Sequence, residues 1–98
     1  MKVLFIGGTG NISSRVSKLA LEKGIDLYHL NRGNRAAMEG VKSLVADISD
    51  LQQAKKALAQ NKWDVVVNWI AFTPQDIARD FELFQPRTRQ YISPGVLV

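Results

Sequence analysis

Lys2-Val3-Leu4-Phe5-Ile6-Gly7-Gly8-Thr9-Gly10-Asn11-Ile12-Ser13-Ser14 opens the chain, and the fold is decided by how it is read. Lys2 to Ile6 is a largely apolar run of strand length. After the glycines, Ile12, Val16, Leu19 and Ala20 fall at i, i+4, i+7 and i+8, one face of a helix. Strand, glycine turn and helix in that order make a phosphate-binding device. Glycine lets the backbone turn sharply and approach an anion without a Cβ in the way. The helix that follows points unpaired N–H groups and the positive end of its dipole at that anion. The spacing therefore assigns Gly7, Gly10 and the backbone amides around Asn11 and Ile12 to a pyrophosphate. Ser13 holds the third place of the G-x-x-G-x-x-G pattern and is small enough for close helix–strand packing.

Ninety-eight residues bound the chain to one domain, 1–98. A hydrophobic content of 46% with 22% charge is that of a globular chain, not a disordered one. With no cysteine there is no disulfide, no zinc–thiolate site and no thiol nucleophile, and a single histidine cannot make a multi-histidine metal site. No metal site is expected. The apolar runs are too short to span a bilayer. The chain starts on a strand rather than a signal peptide, which predicts a cytoplasmic protein without a membrane partner. The net charge of +4 is spread out, and Asp50 to Gln60 carries an acid as well as Lys55 and Lys56. That is a solvated surface, not a nucleic-acid-binding stripe.

Taken in order, Glu22-Lys23-Gly24 stops the first helix, with glycine at the C′ position. Ile25 to Leu30 reads as the second strand, and His29 within it as a hydrogen-bonded structural histidine, since no carboxylate or nucleophile stands beside it. Ala36 to Glu39, closed by Gly40, allows a short helix. Val41 to Ala46 is a third strand. Ser49 and Gln52 have capping-box spacing for a helix that runs to about Gln60, with Leu51, Ala54 and Leu58 inward. Trp63 to Ala71 is almost continuously apolar, as in a strand buried on both faces of a parallel sheet. Thr73-Pro74 begins a further helix, Thr as N-cap and Pro at N1. Ile77, Phe81 and Phe84 form its inward stripe, and Gln85-Pro86 ends it. Tyr91-Ile92-Ser93 offers a partial fifth strand, broken by Pro94-Gly95. Alternating strands and helices predict an α/β, doubly wound, Rossmann-like parallel sheet of order 3-2-1-4.

Asn31-Arg32-Gly33-Asn34-Arg35 follows the second strand, where a dinucleotide's adenosine ribose is read. An acid there would accept hydrogen bonds from the free 2′-hydroxyl of NAD, whereas arginine suits a 2′-phosphate. Here there is no carboxylate, and Arg32 and Arg35 offer guanidinium forks. The residues point to NADP in preference to NAD, with Asn31 at the ribose.

Several stretches together resemble the extended short-chain dehydrogenase/reductases, the NAD-dependent epimerase/dehydratase group. Val3 to Ile12 is similar to the glycine-rich opening of that family. Val45-Ala46-Asp47-Ile48-Ser49-Asp50 resembles the segment after its third strand, which implies that Asp47 and Ile48 lie near the adenine ring. Asp64 to Ala71 resembles its fourth strand, which implies that Asn68, Ile70 and Ala71 run beside the cofactor. Asn31-Arg32-Gly33 and Trp69 to Pro74 look most like an atypical branch holding nucleoside-diphosphate-sugar epimerase-like proteins and chloroplast stem-loop-binding proteins. The resemblance covers residues 1 to about 92 and corresponds to roughly the first third of a family member.

It implies the cofactor-binding part of an NAD(P)-dependent epimerase, dehydratase or reductase, with a nucleotide-sugar as substrate of the intact protein. The alternative within the same resemblance is a non-enzymatic dinucleotide-sensing or RNA-associated protein. A flavodoxin-like domain of similar layout is a third reading, distinguished by tight FMN binding. The family's catalytic Tyr-x-x-x-Lys pair has no counterpart: four residues after Tyr91 stands Gly95. No residue here is therefore assigned a catalytic role, and the chain alone is expected to be inactive. Ser93 falls near where the family's strand-five serine would stand, but Pro94 to Val98 does not continue the pattern, as in a truncated or frameshifted tail. An incompletely covered fourth strand predicts self-association through the sheet edge.

Overall fold

The computed structural model describes residues 1–7, 11–31, 39–58, 61–69 and 73–92, with residues 11–13 by their backbone alone. Eight elements follow one another: β1 (Lys2–Ile6), α1 (Asn11–Glu22), β2 (Asp26–Asn31), β3 (Lys42–Val45), α2 (Leu51–Leu58), β4 (Trp63–Asn68), α3 (Pro74–Phe84) and β5 (Thr88–Ile92). The strands form one parallel sheet of order β3-β2-β1-β4-β5. The expected 3-2-1-4 arrangement is present, and the fifth strand is complete rather than partial. It begins at Thr88, three residues before the expected start at Tyr91, and pairs Trp63↔Thr88 through Val67↔Ile92.

Why β1 is central follows from its sequence. Leu4 and Ile6 point to one face, Val3 and Phe5 to the other, and all four are buried. On one face Leu4, Ile6, Leu30 and Val66 pack against Ala54 and Leu58 of α2 and Leu83 and Phe84 of α3. On the other, Val3, Phe5, Leu27 and Val67 meet Ala20 of α1, with Val16 and Leu21 partly buried beside it. A strand covered on both faces needs apolar residues at every position, which explains the unbroken run Val3 to Ile6.

The helix ends are built locally. α1 closes in a Schellman turn: Gly24 N–H bonds the Leu21 carbonyl at 3.0 Å and Ile25 N–H the Ala20 carbonyl at 3.1 Å, with Gly24 at φ +77°. Thr73 caps α3 as expected. Its hydroxyl accepts from Asp76 N–H at 3.1 Å, the Asp76 carboxylate accepts from Thr73 N–H at 3.2 Å, and Pro74 is in the first turn.

Four expectations are corrected. The cap of α2 is Asp50, not Ser49: Asp50 Oδ1 accepts from the N–H groups of Gln52 and Gln53 at 3.1 and 3.2 Å. A carboxylate is the stronger acceptor for orphan N–H groups. β4 ends at Asn68, and Trp69 already turns. On α1, Leu19 is 52% exposed, and Ser17 takes the buried place facing β2. On α3, Phe81 is 63% exposed while Asp80 is fully buried. The short helix expected at Ala36 to Glu39 falls outside the described residues except for Glu39, which lies in a turn with Gly40. Among the described residues no helix is long and apolar enough to cross a membrane.

Candidate functional site

Parallel strands all deliver their C-terminal ends to one edge of the sheet. Register fixes what gathers there. Ile6 stands opposite Leu30 on one side and Asn68 on the other, and Asn31 opposite Val45. The residues at these strand ends run across the edge in the order Asp47, Asn31, Gly7, Asn68. The chain reverses direction in the sheet at β1, with β2 on one side and β4 on the other, and the crevice at such a switch point is where open α/β sheets bind ligands.

Gly7 follows β1 at φ +75°, a conformation that side-chain-bearing residues adopt only at a cost. Its N–H bonds the Leu30 carbonyl at 3.2 Å, so it extends the sheet and is not itself a phosphate donor. The backbone of Asn11 and Ile12 forms the first turn of α1, which contains no acidic side chain. An anion there meets the helix dipole unopposed. Gly10 lies outside the described residues.

Asn31 ends β2 half-buried, its carbonyl accepting from Ala46 N–H at 2.8 Å. Arg32 and Arg35 lie outside the described residues. Asp47 leaves β3 in a tight turn, Oδ1 accepting from Ser49 N–H at 2.9 Å, and its own N–H donates to Gln53 Oε1 at 3.2 Å. Ile48 is buried among the residues of the α2/α3 face, so its side chain belongs to the core and only its backbone can serve a ligand. Asn68 is fully buried and donates through Nδ2 to Asp80 Oδ2 at 2.5 Å. Ile70 and Ala71 lie outside the described residues. Trp69, the first residue past β4, donates its N–H to the Ile6 carbonyl at 3.0 Å and stands edge-on to Phe5 at 5.5 Å.

His29 is not part of this edge. It sits within β2, stacked on Phe5, with Nε2 3.0 Å from the Ser17 hydroxyl. Burial pushes its pKa below the ordinary value, so it is held neutral. The structural role expected from sequence is what it has.

Sequence reasoning missed Asp80. Its carboxylate also accepts from the Tyr91 hydroxyl and, at 3.1 Å, from Arg79 Nε. The available signal was its spacing: Ile77, Asp80 and Phe84 fall at i, i+3 and i+7, so a carboxylate occupies the inward stripe of α3.

Residues 1–84 match the family model described as the RmlD substrate binding domain. No curated protein sequence matches the chain significantly. Among solved structures, a short-chain dehydrogenase/reductase from Veillonella parvula superposes with a TM-score of 0.76 at 15% identity, over 94% of this chain and 45% of that one. An epimerase from Methanothermobacter thermautotrophicus does so with a TM-score of 0.73 at 16% identity, over 94% of this chain and 34% of that one. A UDP-galactose 4-epimerase gives a TM-score of 0.73 at 17% identity, over 95% and 37%. The chain thus spans less than half the length of these three structures, and at such identities the likeness establishes the shared fold.

Proposed function

The chain belongs to the RmlD substrate binding domain family, and on that premise we propose that it binds a nicotinamide dinucleotide, NADP in preference to NAD, as the cofactor-binding portion of a nucleotide-sugar epimerase, dehydratase or reductase. One observation carries the reading: Gly7 at the end of β1 and the start of α1 stand at the switch point of a five-stranded parallel sheet. The residues fit such a cofactor. Gly7 has the positive φ of a tight turn, and the first turn of α1 carries no charge to repel a pyrophosphate.

Each part of the edge then has a task. The amides at the start of α1 hold the pyrophosphate. Asn31, Arg32 and Arg35 hold the adenosine ribose and its 2′-phosphate, and guanidinium forks are matched to that group. Asp47 and the Ile48 backbone border the adenine. The end of β4 at Asn68, with Ile70 and Ala71 after it, runs beside the cofactor. A bound nicotinamide supplies hydride transfer; the polypeptide supplies position and electrostatics.

The test is titration of NADPH and NADH into the protein by calorimetry. NADPH is expected to bind at least about tenfold tighter, and Arg32→Ala to remove about 1.5–3 kcal/mol of that affinity. Equal or tighter binding of NADH would reject the NADP preference. Gly10→Val is expected to weaken either cofactor by more than about tenfold, about 1.4 kcal/mol; unchanged affinity in a folded variant would remove the loop as the phosphate site.

A further inference from the structure

Where β4 and β5 begin, Lys62, Trp63, Asp64, Arg87 and Arg89 line a hollow of about 260 Å³. Parallel strands start at one edge of a sheet and end at the other. The six residues of β4 therefore separate this hollow from the edge that carries Gly7, by roughly 17 Å at about 3.3 Å per residue. Its walls are held by the backbone. Trp63 N–H bonds the Arg87 carbonyl at 2.7 Å, and Arg87 N–H bonds the Phe84 carbonyl at 2.8 Å. Arg87 Nη1 donates to the Leu83 carbonyl at 2.8 Å, which anchors the guanidinium on the last turn of α3.

Two of these wall residues carry unmet donors. Arg87 Nε and Trp63 Nε1 are buried, and among the described residues neither has an acceptor. Trp63 as a whole is 2% exposed. A buried donor without a partner is costly, and folded proteins rarely leave one without a cause. Both groups are N–H donors that cannot accept, so whatever satisfies them must bring acceptors. The charges point the same way. Lys62, Arg87 and Arg89 stand with one carboxylate, Asp64, whose Oδ2 already accepts from Lys2 N–H at 2.8 Å. Three cations against one acid leave a surplus of two positive charges. A phosphate monoester carries about −1.5 to −2 at pH 7 and three strong acceptor oxygens, whereas a simple carboxylate would balance only half of that surplus. Guanidinium geometry also suits phosphate. The volume falls below the roughly 300–1,000 Å³ of sites for drug-sized ligands, which is too small for a dinucleotide.

We propose that the hollow between the starts of β4 and β5 is a second anion site, one that takes a small phosphate-bearing molecule. Its oxygens accept from Arg87 Nε and Trp63 Nε1, while Lys62 and Arg89, both exposed, add charge on the solvent side. The proposal does not depend on the dinucleotide reading, since none of these residues lies at the C-terminal edge of the sheet.

Inorganic phosphate, glycerol phosphate and acetate are titrated into the chain at constant ionic strength, with chloride as the balancing anion. The readout is the indole N–H resonance of each of the two tryptophans, which report on opposite edges: Trp63 on the hollow and Trp69 on the end of β4. Both phosphates are expected to shift the Trp63 resonance saturably, and whichever binds tighter identifies free phosphate or a monoester as the source. Arg89→Gln alters an exposed side chain and is expected to weaken that response by about tenfold. Arg87→Lys keeps the charge but loses the fork, and should weaken it at least as much. Lys18→Gln removes an equal charge from an exposed position on α1 and should leave the response unchanged. The absence of a saturable Trp63 shift, or a shift of Trp69 alone, would overturn the proposal. So would equal weakening by Lys18→Gln and Arg89→Gln, or acetate binding as tightly as phosphate.

Discussion

The Ser17 hydroxyl and His29 Nε2 meet at 3.0 Å inside the interface between α1 and β2. The pair explains why α1 turns Ser17, rather than Leu19, toward the sheet: a buried imidazole needs a partner, and a leucine cannot supply one. Ser17 and Ala20 are also small, which lets the helix sit close to β1 and β2.

That pair sets a pH dependence. Burial lowers the folded-state pKa of His29 below its unfolded value of about 6.5. Above that value both states are neutral and stability is at its full level. As pH falls below about 6.5 the unfolded state takes up the proton first, so stability declines until the lowered folded value is passed. His29 is the only histidine, so between pH 7.5 and 5.5 no other side chain of ordinary pKa titrates. Urea unfolding across that range should show a falling midpoint in the wild type and a much flatter profile in His29→Gln. A wild type whose stability is flat or rises toward pH 5.5 would contradict this account.

Two phenylalanines three residues apart should behave oppositely. Phe84 is 1% exposed, packed in the core and stacked near Tyr91 at 6.3 Å, whereas Phe81 is 63% exposed. Truncating Phe84 to alanine should cost about 3–5 kcal/mol, transfer loss plus cavity. Phe81→Ala should stay within about 0.5 kcal/mol of the wild type. Chemical denaturation of both variants checks the pair; similar losses would mean that α3 is rotated from the orientation described.

That rotation also shows where reading the sequence succeeds and where it stops. β1 and β4 are legible because strands covered on both faces must be apolar throughout, and their C-terminal ends follow from the parallel register. Gly7, Asn31, Asp47 and Asn68 were therefore within reach. Of β5 only the end at Tyr91-Ile92 was legible: Thr88-Arg89-Gln90 is polar, because an edge strand is held by backbone pairing to β4 and needs little apolar content. On α3, the periodicity admits two adjacent stripes, and hydrophobicity alone chose the one with Phe81. The fold chose the one with Asp80, since a carboxylate can be buried where Asn68, Tyr91 and Arg79 converge on it. Convergence of donors from three elements is a tertiary fact with no local trace. The α2 cap was missed more narrowly, since Ser49 and Asp50 are both good caps and only one can be used.

The Thr73 capping box offers a measurable local contribution. Thr73→Ala removes the acceptor for Asp76 N–H and should cost about 1 kcal/mol. Asp76 also accepts from Arg79 at 3.3 Å, so Asp76→Ala should cost at least as much. Equilibrium unfolding of both variants is the check, and a neutral Thr73→Ala would show that the start of α3 contributes nothing to stability.

Gly7 and Gly24 make a matched pair for separating fold from binding. Their φ angles are +75° and +77°, so alanine at either should carry a similar backbone cost of about 1–2 kcal/mol. At Gly24 nothing lies within 4 Å of an added Cβ, and the position ends α1 far along the chain from the glycine turn. At Gly7 the same strain falls on the turn that leads into the start of α1. Binding to the folded state alone adds about 2.7 kcal/mol when NADPH is at a hundred times its dissociation constant. Unfolding should therefore be followed with and without NADPH in the wild type and both variants. Gly24→Ala should lower stability yet keep the whole NADPH-dependent gain. Gly7→Ala should lower it by a similar amount and lose most of that gain, because the altered turn no longer presents the α1 amides to the pyrophosphate. An undiminished NADPH effect in Gly7→Ala would remove this turn from the binding site, and an equal loss in Gly24→Ala would show that backbone strain anywhere along α1 is enough to weaken the cofactor.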